Sequence, residues 1–290
     1  MAHILAVIGG SGIYSLPGIS EVETLTIQTP FGPPSSSIVR GRLGDTTLLF
    51  LARHGDRHQF APHQINYRAN ICALKLAGAT HIVSLSAVGS MQERIHPGDV
   101  VIISDFIDTT RRRISTFFDE EVVAHIAMSP SVCPQLATAA TQAGRIAGGK
   151  VHDRGTYICI DGPQFSTRAE SLLYRSWGVD VIGMTGMPEA KLAREAEVPY
   201  CTIAFATDYD CWHESAEPVS VDVVLTTLKK NSELAPRIIQ ELVSLLPDPK
   251  ASPAFSALKN SILTKCGSME ALASSKLNWL FDAQVRTRNE

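Results

Sequence analysis

Short apolar or β-branched runs of strand length recur along the chain, at Ile4–Ile8, Thr47–Leu51, His81–Leu85, Asp99–Ile103, Tyr157–Ile160, Val179–Met184 and Tyr200–Ala206. Between several of them lie stretches of helical composition, Tyr67–Ala77, Pro134–Ala143, Thr167–Trp177 and Pro188–Glu197. This alternation predicts an α/β fold with a largely parallel or mixed central sheet flanked by helices. Farther on, Val221, Val224, Leu225 and Leu228 stand at helical spacing. The stretch Val221–Leu246 reads as one helix, with Pro236 the place where it would break and Pro247 and Pro249 closing it. Residues 250–290 change character: Ser, Ala, Lys and Asn are frequent and strand signals are lacking. A surface appendage with one or two short helices and a frayed end at Gln284–Glu290 is expected there.

Composition limits what such a fold can do. With 290 residues, 44% of them hydrophobic and 19% charged, the chain has the mixture of a compact globular protein and excludes a disordered or coiled-coil one. The 26 Lys+Arg against 29 Asp+Glu leave a net charge of -3, so no global positive field favours nucleic acid or an anionic membrane, and an anion site must be local. The six cysteines, Cys72, Cys133, Cys159, Cys201, Cys211 and Cys266, form no C-x-x-C pair and sit mostly in apolar runs. They read as reduced core thiols rather than a disulfide frame or a zinc site. No apolar run reaches the ~18 residues of a membrane span, and Met1–Ile8 enters a glycine turn without the basic start of a signal peptide. A cytoplasmic protein is expected.

The candidate chemistry lies at the ends of the apolar runs. Gly9-Gly10-Ser11-Gly12 follows the first. Its glycines let backbone N–H groups and the Ser11 hydroxyl converge on an anion, although a bland tight turn would have the same sequence. A dinucleotide fingerprint is rejected, because Ser15 takes the place of the third glycine, Pro17 and Gly18 stop the helix, and the later acidic residue is missing. Leu51–His58 delivers two cation-capable side chains, Arg53 and His54, to a strand end before Gly55, which suits a phosphate held by a guanidinium fork and an imidazole. The spacing of His54, His58 and His63 is poor for a metal, since acidic or thiolate help is absent and Gly55 and Pro62 break helical spacing; Arg57 and His63 read as a charged strand end.

Two further strand ends, Ser84–Ser90 and Val181–Glu189, offer the hydroxyls of Ser84, Ser86 and Thr185 beside glycines, where ligands of open α/β sheets gather. In Asp161–Arg168, Phe165 could stack on a flat heterocycle or fill a core. Asp208 and Asp210, at i and i+2 after the last strand, face the same way on an extended segment. They could accept from an exocyclic amine and share a proton with a ring nitrogen, or line a solvated acidic loop.

Together, IGGSG (Ile8–Gly12), TPFGPPS (Thr29–Ser35), LARHGDRH (Leu51–His58), NYRAN (Asn66–Asn70), SAVGS (Ser86–Ser90), PGDVVII (Pro97–Ile103), DGPQFSTRAE (Asp161–Glu170), MTGMPEA (Met184–Ala190) and ATDYDCW (Ala206–Trp212) resemble, in order and spacing, the trimeric class of purine nucleoside phosphorylases. The resemblance spans roughly residues 3–246. It implies a single α/β domain over 1–249, nucleoside phosphorylase-like, with a central mixed β-sheet flanked by helices and with 250–290 as the appendage. It also implies a homotrimer with sites near subunit interfaces. The expected partners are a purine nucleoside and inorganic phosphate as co-substrate, with no metal, organic cofactor, nucleic acid or membrane.

Carried over residue by residue, the resemblance assigns phosphate to Ser11, Arg53, His54, Ser86, the Ala87 backbone and Thr185, with Met184 under the ribose. Phe165 and Ser166 would line the base, and Asp208 and Asp210 would read it, Asp208 also acting as general acid. Val221, Val224 and Leu225 would form an apolar pocket for a 5'-methylthio group, and His125 would reach in from a neighbouring subunit. The family's 6-oxopurine enzymes carry Asn where Asp208 stands, whereas a carboxylate accepts from a 6-amino group. Methylthioadenosine is therefore the expected substrate. The alternatives are methylthioinosine or a 6-oxopurine nucleoside, and, outside enzymes, a nucleoside-binding scaffold. Gly183 and Gly186 depart from the larger polar residues usual in methylthioadenosine-cleaving members, and MTGMPEA also looks like the methylthioinosine-cleaving branch.

Overall fold

Burial on both faces explains why the central strands read as unbroken apolar runs. The computed structural model describes residues 3–9, 16–120, 122–213, 233–264 and 276–281. Its strands are β1 (Ile4–Gly9), β2 (Ser20–Leu25), β3 (Ile38–Leu43), β4 (Thr46–Ala52), β5 (His81–Ser90), β6 (Val100–Asp108), β7 (Val151–Cys159), β8 (Val181–Gly183) and β9 (Tyr200–Asp208). The helices are α1 (Tyr67–Leu76), α2 (Pro134–Ile146), α3 (Arg168–Ser176) and α4 (Gly186–Glu195), and residues 233–243 are also helical, on both sides of Pro236. Along β1 and β4, Leu5, Val7, Leu48 and Phe50 join a core with α2 and Ile238, while Ala6, Ile8, Leu49 and Leu51 join the opposite core with α1 and α4. Among the described residues no helix is long and apolar enough to cross a membrane.

All strands belong to one mixed sheet, in the order β2-β3-β4-β1-β5-β8-β7-β6-β9, and β9 returns to pair with β5. Strands β5, β8, β7, β6 and β9 therefore close a ring, from which β1, β4, β3 and β2 extend as an open wing. The strand β5 is the hinge of this arrangement. One of its edges pairs with β9 from Ile82 to Gly89; the other pairs with β1 through Ser84 and with β8 only from Gly89 onward. Between those two partners, Leu85–Val88 have no described strand on that edge, and a crevice opens beside the carboxyl ends of β1 and β4.

The α/β architecture and the seven apolar strands agree with the sequence reading. Two strands, β2 and β3, are absent from that reading: β2 is almost entirely exposed and polar, and Glu23 pairs with Arg40 on β3. The described parts of the C-terminal stretch correct the expectation of a surface appendage. Leu258, Leu277, Trp279, Leu280 and Phe281 are buried in the core shared with α1 and α4, and Trp279 meets Phe117 and Phe31 edge to face at 4.9 and 6.1 Å. Their wide separation from the core in sequence hid this. Cys72, Cys133, Cys159 and Cys201 are free and buried, and Cys211 is free and half-buried.

Candidate active site

The crevice beside β5 collects the strand ends. Arg53 follows β4 directly, and its backbone N–H donates to Gly9 O at 2.9 Å, so β1 ends next to it. The residue is 2% exposed. Nε and Nη2 donate to the two carboxylate oxygens of Glu189 at 2.8 and 3.2 Å, Nη2 donates to Ser84 Oγ at 2.6 Å, and Nη1 donates to Leu85 O at 3.1 Å. Burial opposes the charge, but Glu189 outweighs it and the net shift of Arg53 is upward. Four of the five guanidinium hydrogens are thereby engaged. The expected fork toward an anion is instead turned onto Glu189, which leaves one Nη1 hydrogen for the crevice.

The neighbouring His54 keeps the expected imidazole but not a positive charge. Burial first, then the charge of Arg53, lowers its pKa to about 4, so at neutral pH it is an imidazole and not a cation. Its Nδ1 lies 2.8 Å from Phe60 O, which selects the Nδ1–H tautomer and leaves Nε2 an acceptor. The ring stacks on His58 at 4.2 Å, so these two histidines support each other.

Farther along β5, Ser86 Oγ lies 3.5 Å from Thr185 Oγ1 and 3.3 Å from Tyr157 OH. Ala87 is the one exposed residue of β5. Thr185 stands between β8 and α4, and Met184 packs against the Gly162 turn, whose missing Cβ would lie 2.4 Å from the Met184 sulfur. At the far end, β9 places Asp208 opposite Gly89. The interval from Ser86 to Gly89 is roughly 10 Å at a strand rise of about 3.3 Å per residue. A hydroxyl and guanidinium cluster and a carboxylate pair thus lie at two places along β5, roughly 10 Å apart.

Asp208 is buried, and its two oxygens accept from Thr207 Oγ1 at 2.6 Å and from the Asp210 backbone N–H at 2.8 Å. Burial raises its pKa despite those bonds. Asp210 accepts from Ser171 Oγ, and its pKa is likewise raised, first by burial. The solvated-loop alternative fails for both. Phe165 is 47% exposed, which rules out the core alternative, and the buried Ser166 Oγ has no hydrogen-bond partner among the described residues. His125 is exposed, on a segment whose backbone N–H donates to Ser261 O at 2.8 Å. Ser11, Val221, Val224 and Leu225 lie outside the described residues. Glu189 and Tyr157 were not singled out from sequence; a Glu just after Pro188 in a helix's first turn was the available signal for one, while the other stood only as the start of the apolar strand run Tyr157–Ile160.

The family model of the phosphorylase superfamily matches residues 4–244. An S-methyl-5'-thioadenosine phosphorylase of Geobacter sulfurreducens is 48% identical over 286 residues, covering 98% of this chain and 100% of that one. Among solved structures, a methylthioadenosine phosphorylase from an antarctic soil metagenomic library superposes with a TM-score of 0.90 at 44% identity, covering 96% of this chain and 99% of that one. The methylthioadenosine phosphorylase of Schistosoma mansoni in complex with adenine gives 0.83 at 35% identity, covering 90% and 99%.

Proposed function

Because the chain belongs to the phosphorylase superfamily, we propose that it cleaves S-methyl-5'-thioadenosine with inorganic phosphate, giving adenine and 5-methylthioribose 1-phosphate. The observation that carries this reading is the pairing of an anion-type cluster, Arg53, Ser86 and Thr185, with the buried carboxylates Asp208 and Asp210 along one strand. Phosphate lies under the anomeric carbon, held by hydroxyls, the Ala87 and Ser11 region and the remaining Arg53 hydrogen. Positioning replaces activation of a protein nucleophile. A phosphate oxygen bonds to C1' as the C1'–N9 bond breaks, and the electron pair leaves with the purine. The phosphate dianion stabilises the positive charge that develops on the sugar.

Asp208, held toward its protonated form by burial, supplies a proton at N7 as charge reaches the base. Its carboxyl, with Asp210, suits a 6-amino group, and Phe165 covers the ring. The reading requires no metal or organic cofactor, since phosphate is itself the nucleophile. Homotrimeric assembly and a cytoplasmic location belong to the same reading; the exposure of His125 supports its role in a neighbour's site. Product analysis with methylthioadenosine, adenosine and inosine, each with and without phosphate, tests it. Adenine release that requires phosphate and favours methylthioadenosine is expected, and phosphate-independent release would replace phosphorolysis with hydrolysis. Light scattering tests the trimer.

A further inference from the structure

Tyr157 comes from β7, is fully buried, and has no place in the reaction described above, yet its hydroxyl sits in the anion cluster. It accepts from the Thr185 backbone N–H at 3.3 Å and lies 3.3 Å from Ser86 Oγ. Its ring is wedged beside Phe106 at 5.5 Å. The space for the hydroxyl exists because residue 183 is glycine: a Cβ there would stand 2.1 Å from Tyr157 OH. A Cβ on Gly186 would likewise stand 2.7 Å from Phe106, the residue that backs the ring. Gly183 and Gly186 therefore accommodate one aromatic pair.

Hydrogen-bond polarity decides what this hydroxyl does. A serine hydroxyl has one proton. When Ser86 donates it to an anion, Ser86 Oγ becomes available as an acceptor. The Thr185 N–H already occupies one lone pair of the Tyr157 oxygen, and the phenol keeps its own proton because burial raises its pKa. The geometry points to Tyr157, seated in the notch of Gly183, as a positioning residue that donates to Ser86 and aims the Ser86 proton at phosphate. Thr185 N–H, Tyr157 O–H and Ser86 O–H then form a chain of donors polarised toward the anion, each bond strengthening the next. This inference rests on the phosphorolytic reading of the same crevice.

Steady-state kinetics of Tyr157→Phe provide the test. The KM for phosphate is expected to rise about five- to tenfold, as for loss of one buried hydrogen bond, while the KM for the nucleoside changes less than twofold. A double-mutant cycle with Ser86→Ala separates positioning from packing: removing the phenol should weaken phosphate use less in the Ser86→Ala background than in the wild type. Calorimetric titration of inorganic phosphate into the same proteins reads the effect without turnover. An unchanged phosphate KM in Tyr157→Phe, or fully additive effects with Ser86→Ala, overturns the positioning role while leaving phosphorolysis intact. Wild-type cleavage that ignores phosphate would instead remove the reading beneath it. If Tyr157→Phe fails to fold, Gly183→Ala, which keeps the phenol but displaces it, must raise the phosphate KM selectively, and equal effects on both substrates would count against the proposal.

Discussion

Arg53 and Glu189 form a forked ion pair, Nε to Oε2 at 2.8 Å and Nη2 to Oε1 at 3.2 Å, with side chains only 3% and 1% exposed. The pair joins the end of β4 to the first turn of α4, and Tyr200 OH donates to the same carboxylate at 2.9 Å. Glu189 thus turns a strand-end arginine into a fixed, permanently charged wall of the crevice.

Removing one partner leaves an uncompensated buried charge, which costs about 3–5 kcal/mol. Glu189→Ala is therefore expected to lower the urea midpoint strongly and to weaken phosphate use. Replacing both residues with apolar ones, Arg53→Met with Glu189→Leu, should be less destabilising than Glu189→Ala alone. Equilibrium unfolding of the three proteins checks this.

Asp208→Asn should shift preference from 6-aminopurine toward 6-oxopurine nucleosides, because the amide can donate where the carboxylate accepts. Relative kcat/KM for adenine and hypoxanthine nucleosides is the measurement. The same variant reads the pKa. Burial raises the folded-state pKa of Asp208, so the stability it contributes is present below the unfolded pKa and is lost as pH rises through the folded one. The Tm of Asp208→Asn should therefore exceed that of the wild type by more at pH 8 than at pH 4.

His54 has the opposite linkage. Its pKa falls from 6.5 to about 4 on folding, through burial and then Arg53. The stability of the neutral ring is present above pH 6.5 and is lost as pH falls through about 4. His81, lowered to about 4 by burial and then His3, adds to the same acid slope. Unfolding free energies of His54→Gln between pH 7 and pH 4 should show a shallower fall than the wild type, measured by urea titration at several pH values.

Trp279→Ala is expected to cost about 3–5 kcal/mol, the range for deleting a large buried aromatic. Trp279 is 6% exposed and packed edge-on against both Phe31 and Phe117. Thermal unfolding checks this, and a change within a degree would mean that the C-terminal stretch is dispensable to the core.

The central strands were legible because a two-sided sheet needs apolar residues at consecutive positions, as in Leu48–Leu51 and Ile82–Val83. The edge strand β2 was illegible for the converse reason: its exposed residues carry no burial signal. The expected site positions Arg53, Ser86, Thr185, Asp208 and Asp210 do gather around one strand, because Ser86 lies on β5, Thr185, Asp208 and Asp210 follow or end its neighbours β8 and β9, and Arg53 follows β4, one strand farther away. Trp279 was missed because its partners lie about 160 and 250 residues away in sequence, beyond the reach of local periodicity.

Residue chemistry and local spacing determined the strand-and-helix alternation, the reading of the cysteines as free thiols and the local character of any anion site, and the resemblance to a known family proposed its hydroxyls and carboxylates. Only tertiary structure decided their states. It turned the Arg53 fork onto Glu189, discharged His54, raised Asp208 and placed Tyr157 between Ser86 and Thr185. The reason is physical: a side chain's type is written at its own position, but its protonation and hydrogen-bond direction depend on burial and on partners that folding brings from distant positions.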